Sequence, residues 1–294
     1  MKAEEIINIS QSWLNSVIQG NGMIVIKPGD ESFRLRNNGV IVHELDFKRL
    51  MACIISTSIT LAIPSQSGGI APNVTMVDKD HRNVWGWCAE FVKYLRICSR
   101  SNFVEPFMDL FLTCSYAACM PSVQKHGFIT NYLDDSHLHL SYLAMPLLEG
   151  VAKRFGEEFV DMDGKVKKPF KKLNGQFYKK KDQCSSIGDL LLLVEEIADE
   201  DLKKDILRLN GIVESYNPGR EAYKTIKEWR NSSLHGSQAY ATIAGVTFNY
   251  SLVIILNKIK INYEENRLDC IDHLNFLAER DGEHGFMYIP KAHG

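Results

Sequence analysis

The sequence predicts a mainly α-helical protein in which an antiparallel helical bundle follows an N-terminal α+β region with short hairpins. Three observations support this. From about residue 130 onward, apolar residues recur at three- and four-residue spacing over long segments. Before that point, short apolar runs are separated by Asn-Gly and Pro-Gly pairs, as in strands joined by turns. Finally, 45% of the 294 residues are hydrophobic and 24% are charged, the composition of an ordinary globular protein.

The N-terminal region, residues 1–128, is expected to mix helices with hairpins. Asn38-Gly39 predicts a tight turn, since a type I′ turn needs positive φ at both central residues. Residues 45–62 combine a helical stripe with many β-branched residues, and we favour a helix. The expected elements are, in order, a helix over 4–19, a strand over 23–27, a hairpin joining 33–36 to 40–42, the helix over 45–62, a hairpin of 74–76 with 84–85, a helix over 88–99, and a helix that Ser101-Asn102 can cap and that runs to about Met120.

Residues 129–264 are expected to form the helical bundle. Asp134-Asp135-Ser136 offers N-caps for its first helix, and the break at Tyr216-Asn217-Pro218-Gly219 separates two later ones. The predicted helices cover 136–154, 184–197, 199–216, 220–239 and 241–262. The last segment, 265–294, is expected to hold a helix over 267–280 and a loose tail from 281.

Charge and cysteine content limit the function classes. The formal net charge is −2, which excludes a surface that is basic overall and binds nucleic acid everywhere. Affinity for phosphates must therefore come from local patches. Seven cysteines without a Cys-x-x-Cys pair indicate free thiols in a reducing compartment. No signal peptide and no apolar run long enough for a membrane span is found, so a cytoplasmic protein without membrane contact is expected.

A basic insertion, residues 165–181, interrupts the bundle. It is rich in lysine, contains no acid and interleaves Phe170, Phe177 and Tyr178. Lysines with aromatic residues suit phosphate contact and base stacking, while a solvated mobile loop is the alternative. If the insertion binds RNA, the residues expected to do so are Lys167, Lys168, Lys171, Lys172, Lys179, Lys180 and Lys181.

The residues that carry chemistry lie in the run Glu228-Trp229-Arg230-Asn231-Ser232-Ser233-Leu234-His235-Gly236. On a helix, Asn231 and His235 share one face, one turn apart. The guanidinium of Arg230 matches phosphate oxygens, and the imidazole of His235 titrates near neutral pH and can move protons. The spacing alone is common, as a chance match of Arg36-Asn37 with His43 shows. The run at Arg230–His235 is distinguished from this chance match by its position late in an all-helical region.

This run resembles the Arg-Asn-x-x-x-His motif of HEPN domains. These are helical bundles found in toxin–antitoxin ribonucleases, anti-phage nucleases and the RNA-guided ribonucleases of CRISPR systems. The helix Ser136 to Arg154 is similar to the first long helix of such domains. The resemblance covers about residues 130–263, roughly half of the chain.

The resemblance implies a metal-independent endoribonuclease that leaves 2′,3′-cyclic phosphate ends. In that reaction Arg230 stabilises charge on the phosphate, His235 serves as general base or acid, and Asn231 orients His235 or the phosphate. Glu149 is a candidate for the acidic residue that some HEPN sites place nearby, and a solvated surface glutamate is the alternative. Because one motif holds one histidine, the resemblance also implies a homodimer with a composite site. No cofactor and no metal are expected, since His137 and His139 diverge on a helix.

The expected biological setting is anti-phage defence or toxicity, with the N-terminal region sensing a phage-derived trigger or restraining the nuclease. The RNA target is expected to be flexible, for example a tRNA anticodon loop. Some HEPN toxins carry a tyrosine two residues after the histidine, which a partner antitoxin modifies. This sequence has Ser237 there, and the nearest tyrosine is Tyr240. Two alternatives stay open: a non-catalytic HEPN module that binds RNA or nucleotides or scaffolds a complex, and a binding protein with an accidental motif.

Overall fold

Ten α-helices and one two-stranded hairpin make up the regular structure of the described residues in the computed structural model. The structure describes residues 1–19, 35, 38–61, 79–119, 136–233, 240–282 and 285–290. The helices are α1 (Ala3–Gln19), α2 (Phe47–Leu61), α3 (Lys79–Ile97), α4 (Met108–Cys119), α5 (Ser136–Phe155), α6 (Ile187–Ile197), α7 (Glu200–Tyr216), α8 (Ala222–Ser233), α9 (Tyr240–Lys258) and α10 (Lys260–Asp281). Strands β1 (Phe170–Lys171) and β2 (Phe177–Tyr178) pair antiparallel, with Phe170 opposite Tyr178. The prediction of a mainly α protein is confirmed.

Helix α9 forms the centre of the core. It packs along α5 and also contacts α2 and α7. Its residues are buried continuously from Ile243 to Leu256, because apolar side chains occupy all of its sides. No single helix in the described part of the chain is long and apolar enough to span a membrane.

A buried polar network ties α9 to the N-terminal helices. The Asn249 amide nitrogen donates to the hydroxyl oxygens of Ser58 at 2.6 Å and Thr57 at 3.2 Å and to the carbonyl of Ile54 at 3.3 Å. Its amide oxygen accepts from the indole nitrogen of Trp85 at 2.7 Å. Buried apolar residues from α1 to α10 accordingly form one connected cluster. The domain boundaries after residues 128 and 264 stay predictions. The buried cluster includes residues on both sides of each boundary.

The N-terminal helices at 4–19 and 45–62 are confirmed as α1 and α2, whereas the hairpins are wrong wherever the structure describes them. Val84 and Trp85 lie inside α3, which also includes the helix predicted from 88. Residues Val42–Glu44 form a 3₁₀ turn instead of a strand. The aromatic and β-branched residues of α3 are explained by burial, since Val84, Trp85 and Trp87 are fully buried. The predicted strand residues 23–27, 33–34, 36 and 74–76 lie outside the described residues.

The helix predicted over 101–120 begins later than expected, with a 3₁₀ turn at Glu105–Phe107 leading into α4. Helices α5, α6 and α7 are confirmed close to their predicted limits. α8 agrees from Ala222 to Ser233, and the rest of its predicted span is not among the described residues.

The predicted helix over 241–262 is wrong at its end. The chain leaves helical geometry at Ile259, where ψ is 20°, and α10 departs from α9 at an angle of 93°. Tyr263 explains the turn. Its buried hydroxyl donates to the carbonyl of Leu45 at 2.9 Å and accepts from Trp87 at 3.2 Å, so α10 returns over the N-terminal helices.

The expectation of a loose tail is wrong for residues 285–290. The backbone nitrogen of Met287 donates to Glu90 at 2.8 Å. The buried Tyr288 hydroxyl lies 2.6 Å from Nδ1 of His43. A Cβ at Gly86 would stand 2.5 Å from the Met287 carbonyl oxygen. The glycine therefore lets the tail backbone lie directly against α3.

Candidate active site

Helix α8 positions the motif residues Arg230 and Asn231. It buries Tyr223, Ile226 and Trp229, whose three-residue spacing places them on one face against α6 and α7. The ring of Trp229 meets that of Tyr216 edge-on at 6.2 Å. Because this side of the helix is fixed by packing, the polar residues on its other side have defined positions.

Arg230 is held at the junction of three elements. Its Nη2 lies 3.4 Å from Oε2 of Glu149 on α5, and its Nη1 donates to the carbonyl of Ser185, ahead of α6, at 3.3 Å. The other oxygen of Glu149 pairs with Lys153 at 2.8 Å. The structure thus brings together two residues that the sequence indicated separately, Arg230 and Glu149. The Arg230 side chain remains 38% exposed, so the oriented guanidinium is still accessible to a ligand.

Asn231 is exposed and lines a pocket of about 420 Å³ between α8 and the β1–β2 hairpin. This feature is called the lysine pocket below. Its lining consists of Lys172, Leu173, Asn174, Asp189, Lys224, Lys227, Glu228 and Asn231. The pocket therefore ends at the residue next to Arg230.

His235, the predicted general base or acid, lies outside the described residues. α8 is described to Ser233 and α9 from Tyr240. Ser237, two residues after His235, also falls in this interval.

The basic insertion belongs to a folded segment, residues 157–186, which we name the basic lobe. Its core includes Val160, Val166, Phe170 and Tyr178. Tyr178 donates to Asp189 of α6 at 2.8 Å, and burial raises the pKa of this phenol. A folded hairpin thus takes the place of the solvated mobile loop that was the alternative from sequence.

The seven predicted RNA-binding lysines are spread over the basic lobe. Lys172 lines the lysine pocket, with its ammonium 4.2 Å from the centre of the Tyr178 ring. Lys167 donates to the carbonyl of Glu157 at 2.9 Å, and Lys168 pairs with Glu158 at 2.8 Å. The other four are exposed on the lobe surface, namely Lys171, Lys179, Lys180 and Lys181.

Sequence reasoning missed Lys224 and Lys227. The signal was present, because Lys224, Lys227 and Asn231 follow each other at intervals of three and four residues on one helix face. Ser185 and Asp189 gave no signal, since each acts through a contact that only the folded chain creates.

Within the described residues, no group of three or more His, Cys, Asp or Glu side chains is placed to hold a metal ion. Comparison of the chain with protein-family models, curated proteins and solved structures gives no match in any of the three.

Proposed function

We propose that the protein is a metal-independent endoribonuclease of the HEPN type whose site is centred on Arg230. The observation that carries the proposal is the placement of this side chain. It is oriented by Glu149 and by the Ser185 carbonyl, and the next residue, Asn231, lines a pocket that also contains three lysines. A half-exposed, oriented guanidinium suits recognition of a phosphodiester.

The proposed reaction is intramolecular transesterification. The RNA 2′-oxygen attacks the adjacent phosphorus, the bond from phosphorus to the 5′-oxygen breaks, and the 2′-hydroxyl proton is taken up by a base. The leaving 5′-oxygen receives a proton, so the products are a 2′,3′-cyclic phosphate and a 5′-hydroxyl. Arg230 stabilises the charge on the non-bridging oxygens, His235 transfers protons, and Asn231 orients His235 or the phosphate.

Glu149 orients the cluster without cancelling its charge. Its carboxylate is shared by Lys153 at 2.8 Å and Arg230 at 3.4 Å. Two cations on one carboxylate leave a net positive charge next to the proposed position of the phosphate, which favours an anionic ligand.

A homodimer is part of the proposal. The reaction needs both a base and an acid, and each chain supplies one motif histidine. Two copies with their α8 ends facing each other supply both. We assign the enzyme to anti-phage defence or toxicity, with a phage-derived trigger or an antitoxin controlling it and a tRNA loop as a substrate.

The test is RNA cleavage in EDTA by the full-length chain. We expect wild type to cut tRNA or mRNA, and Arg230→Ala and His235→Ala each to lose about 10²–10⁴-fold in rate. Arg208→Ala is the matched control. Arg208 is also a partly exposed arginine, paired with Glu4 and Asp205, and its removal should leave cleavage unchanged. RNA that stays intact under every trigger contradicts the proposal, and activity abolished by EDTA contradicts its metal independence.

The pairing of Arg230 with Glu149 also favours a second candidate, a non-catalytic HEPN module that binds RNA. An arginine already engaged by a carboxylate serves binding as well as catalysis. In that case the wild-type protein binds RNA and leaves it uncut, with or without EDTA.

A further inference from the structure

One wall of the lysine pocket is a single stripe of α8. Lys224, Lys227, Glu228 and Asn231 all line the pocket, and their spacing of three and four residues places them along one helix face. From Lys224 to Asn231 the stripe is about 10 Å long at 1.5 Å per residue. It ends at Asn231, which follows Arg230 in the sequence and lies about 100° from it around the helix axis.

The opposite wall is the turn of the β1–β2 hairpin, which is fixed to α6. The Leu173 backbone nitrogen donates to one oxygen of Asp189 at 2.8 Å, and the Tyr178 hydroxyl donates to the other at the same distance. Beneath the turn, a Cβ at Gly188 would stand 2.6 Å from a Leu173 methyl group and 2.9 Å from the Tyr223 carbonyl oxygen. At Gly188, α6 therefore lies in close contact with the Leu173 side chain of the hairpin and with the backbone of α8.

The charges of the lysine pocket favour an anion. Three lysines face two carboxylates, Asp189 and Glu228. Both oxygens of Asp189 already accept hydrogen bonds from the hairpin. Glu228 is paired with Arg220, and Lys224 is paired with Glu221 at 2.9 Å. With these two partners included, four cations stand against three carboxylates, so the pocket keeps a net positive charge on a chain whose total formal charge is −2.

We infer that the lysine pocket binds the sugar–phosphate backbone of single-stranded RNA and leads the strand to Arg230. A concave pocket of about 420 Å³ accepts one strand and not the outer surface of a rigid duplex. Phe177, 61% exposed on the same hairpin, offers a ring for base stacking. This inference rests on the proposed function, since it assigns the substrate contacts of that enzyme.

Binding without cleavage tests the inference. Full-length His235→Ala protein is titrated with a 12-nucleotide single-stranded RNA, and fluorescence anisotropy is recorded at several salt concentrations. Adding Lys224→Gln and Lys227→Gln should weaken binding about tenfold and lower the slope of log K against log salt by about 0.7 for each phosphate that is no longer neutralised. Lys172→Gln, on the other wall, should act in the same direction.

The matched control is Lys48→Gln with Lys204→Gln in the same His235→Ala background. Both lysines are exposed and lie beside Glu4 of α1, so the change in net charge is identical. The control should bind within twofold of its parent. Circular dichroism and gel filtration confirm that each variant is folded.

The outcomes separate this inference from the proposed function. Equal weakening in the pocket and control variants overturns the inference, and so does binding of duplex RNA as tight as that of the single strand. Weaker RNA binding in the pocket variants alone supports the inference even if wild type cuts no RNA, and the lack of cleavage then contradicts only the proposed endoribonuclease activity. If wild type cuts RNA and the pocket variants bind it as tightly as their parent, the enzyme proposal stands and RNA binding by the lysine pocket is contradicted.

Discussion

Helices α8 and α9 follow each other in the sequence and use polar residues in opposite ways. On α9, Thr247, Asn249 and Ser251 are buried within an apolar helix, and Asn249 binds groups on α2 and α3. On α8, polar residues form a stripe facing the lysine pocket. Asn249 thus joins α9 to α2 and α3 inside the core. On α8, the ion pairs of Lys224 with Glu221 and of Glu228 with Arg220 lie at the surface, and the stripe lines a pocket instead of a core contact.

The largest effect on stability is expected for Asn249→Leu. The leucine has a similar volume and leaves the indole nitrogen of Trp85 without its acceptor inside the core. Removing this hydrogen bond and those to Thr57 and Ser58 should lower the free energy of unfolding by about 3 kcal/mol. Urea denaturation followed by circular dichroism measures the change.

Asn257→Ala is the control on the same helix. The amide nitrogen of Asn257 is buried and has no hydrogen-bond partner among the described residues. Its removal should cost less than about 1 kcal/mol. Equal destabilisation by the two substitutions would show that the network around Asn249 does not join the two halves of the chain.

A smaller effect is expected for Gly188→Ala. The added methyl group meets Leu173 and the Tyr223 backbone below 3.0 Å, so both the hairpin and α8 must shift relative to α6. We expect the free energy of unfolding to fall by about 1–2 kcal/mol and RNA binding by the widened lysine pocket to weaken. Denaturation and anisotropy measure the two effects.

The comparison variant is Gly211→Ala on α7. A Cβ at Gly211 has no neighbour within 4 Å, and alanine is the better helix former by about 1 kcal/mol. This variant should be as stable as wild type or more so, with RNA binding unchanged. Unaltered RNA binding in Gly188→Ala would argue against a pocket whose shape depends on that close approach.

The smallest effect concerns thiol chemistry and leaves stability unchanged. Burial raises the pKa of the Cys114 and Cys119 thiols to about 12, so at pH 8 only roughly one in ten thousand of each is thiolate. Cys98 is exposed. In the native protein, a thiol reagent at pH 8 should therefore modify Cys98 rapidly and the other two only after denaturation. Rapid modification of Cys114 would contradict the buried core.

The helical bundle could be predicted because its signals are local. Ser186 and Asp199 cap α6 and α7 with side-chain oxygens, and the break after Tyr216 contains both proline and glycine. The hairpins assigned to the N-terminal region were wrong at Val84 and Trp85, since their β-branched and aromatic character reflects burial from several sides. The bend at Ile259 depends on Tyr263 reaching Leu45, a contact that no local pattern reveals.

In the candidate site, too, residues could be predicted from the sequence but their long-range contacts could not. Arg230 and Asn231 were indicated by their residue types and by their place late in an all-helical region, and Glu149 was a candidate only through the resemblance to HEPN domains. Their contacts could not be derived, because the pairing of Arg230 with Glu149 joins positions 81 residues apart. The lysine pocket was missed because its two walls come from the basic lobe and α8. The spacing of the lysines on α8 predicts a shared helix face, but only the folded chain shows that the hairpin lies opposite this face and forms a pocket with it.

The proposed ribonuclease can be identified by the chemical nature of the RNA ends that it leaves. Wild-type protein is incubated with tRNA in EDTA together with its trigger, and the new ends are mapped by ligation-dependent sequencing with and without removal of cyclic phosphates. We expect 2′,3′-cyclic phosphate and 5′-hydroxyl ends that disappear in Arg230→Ala. Ends carrying a 3′-hydroxyl and a 5′-phosphate, or ends that persist in Arg230→Ala, would contradict the proposal.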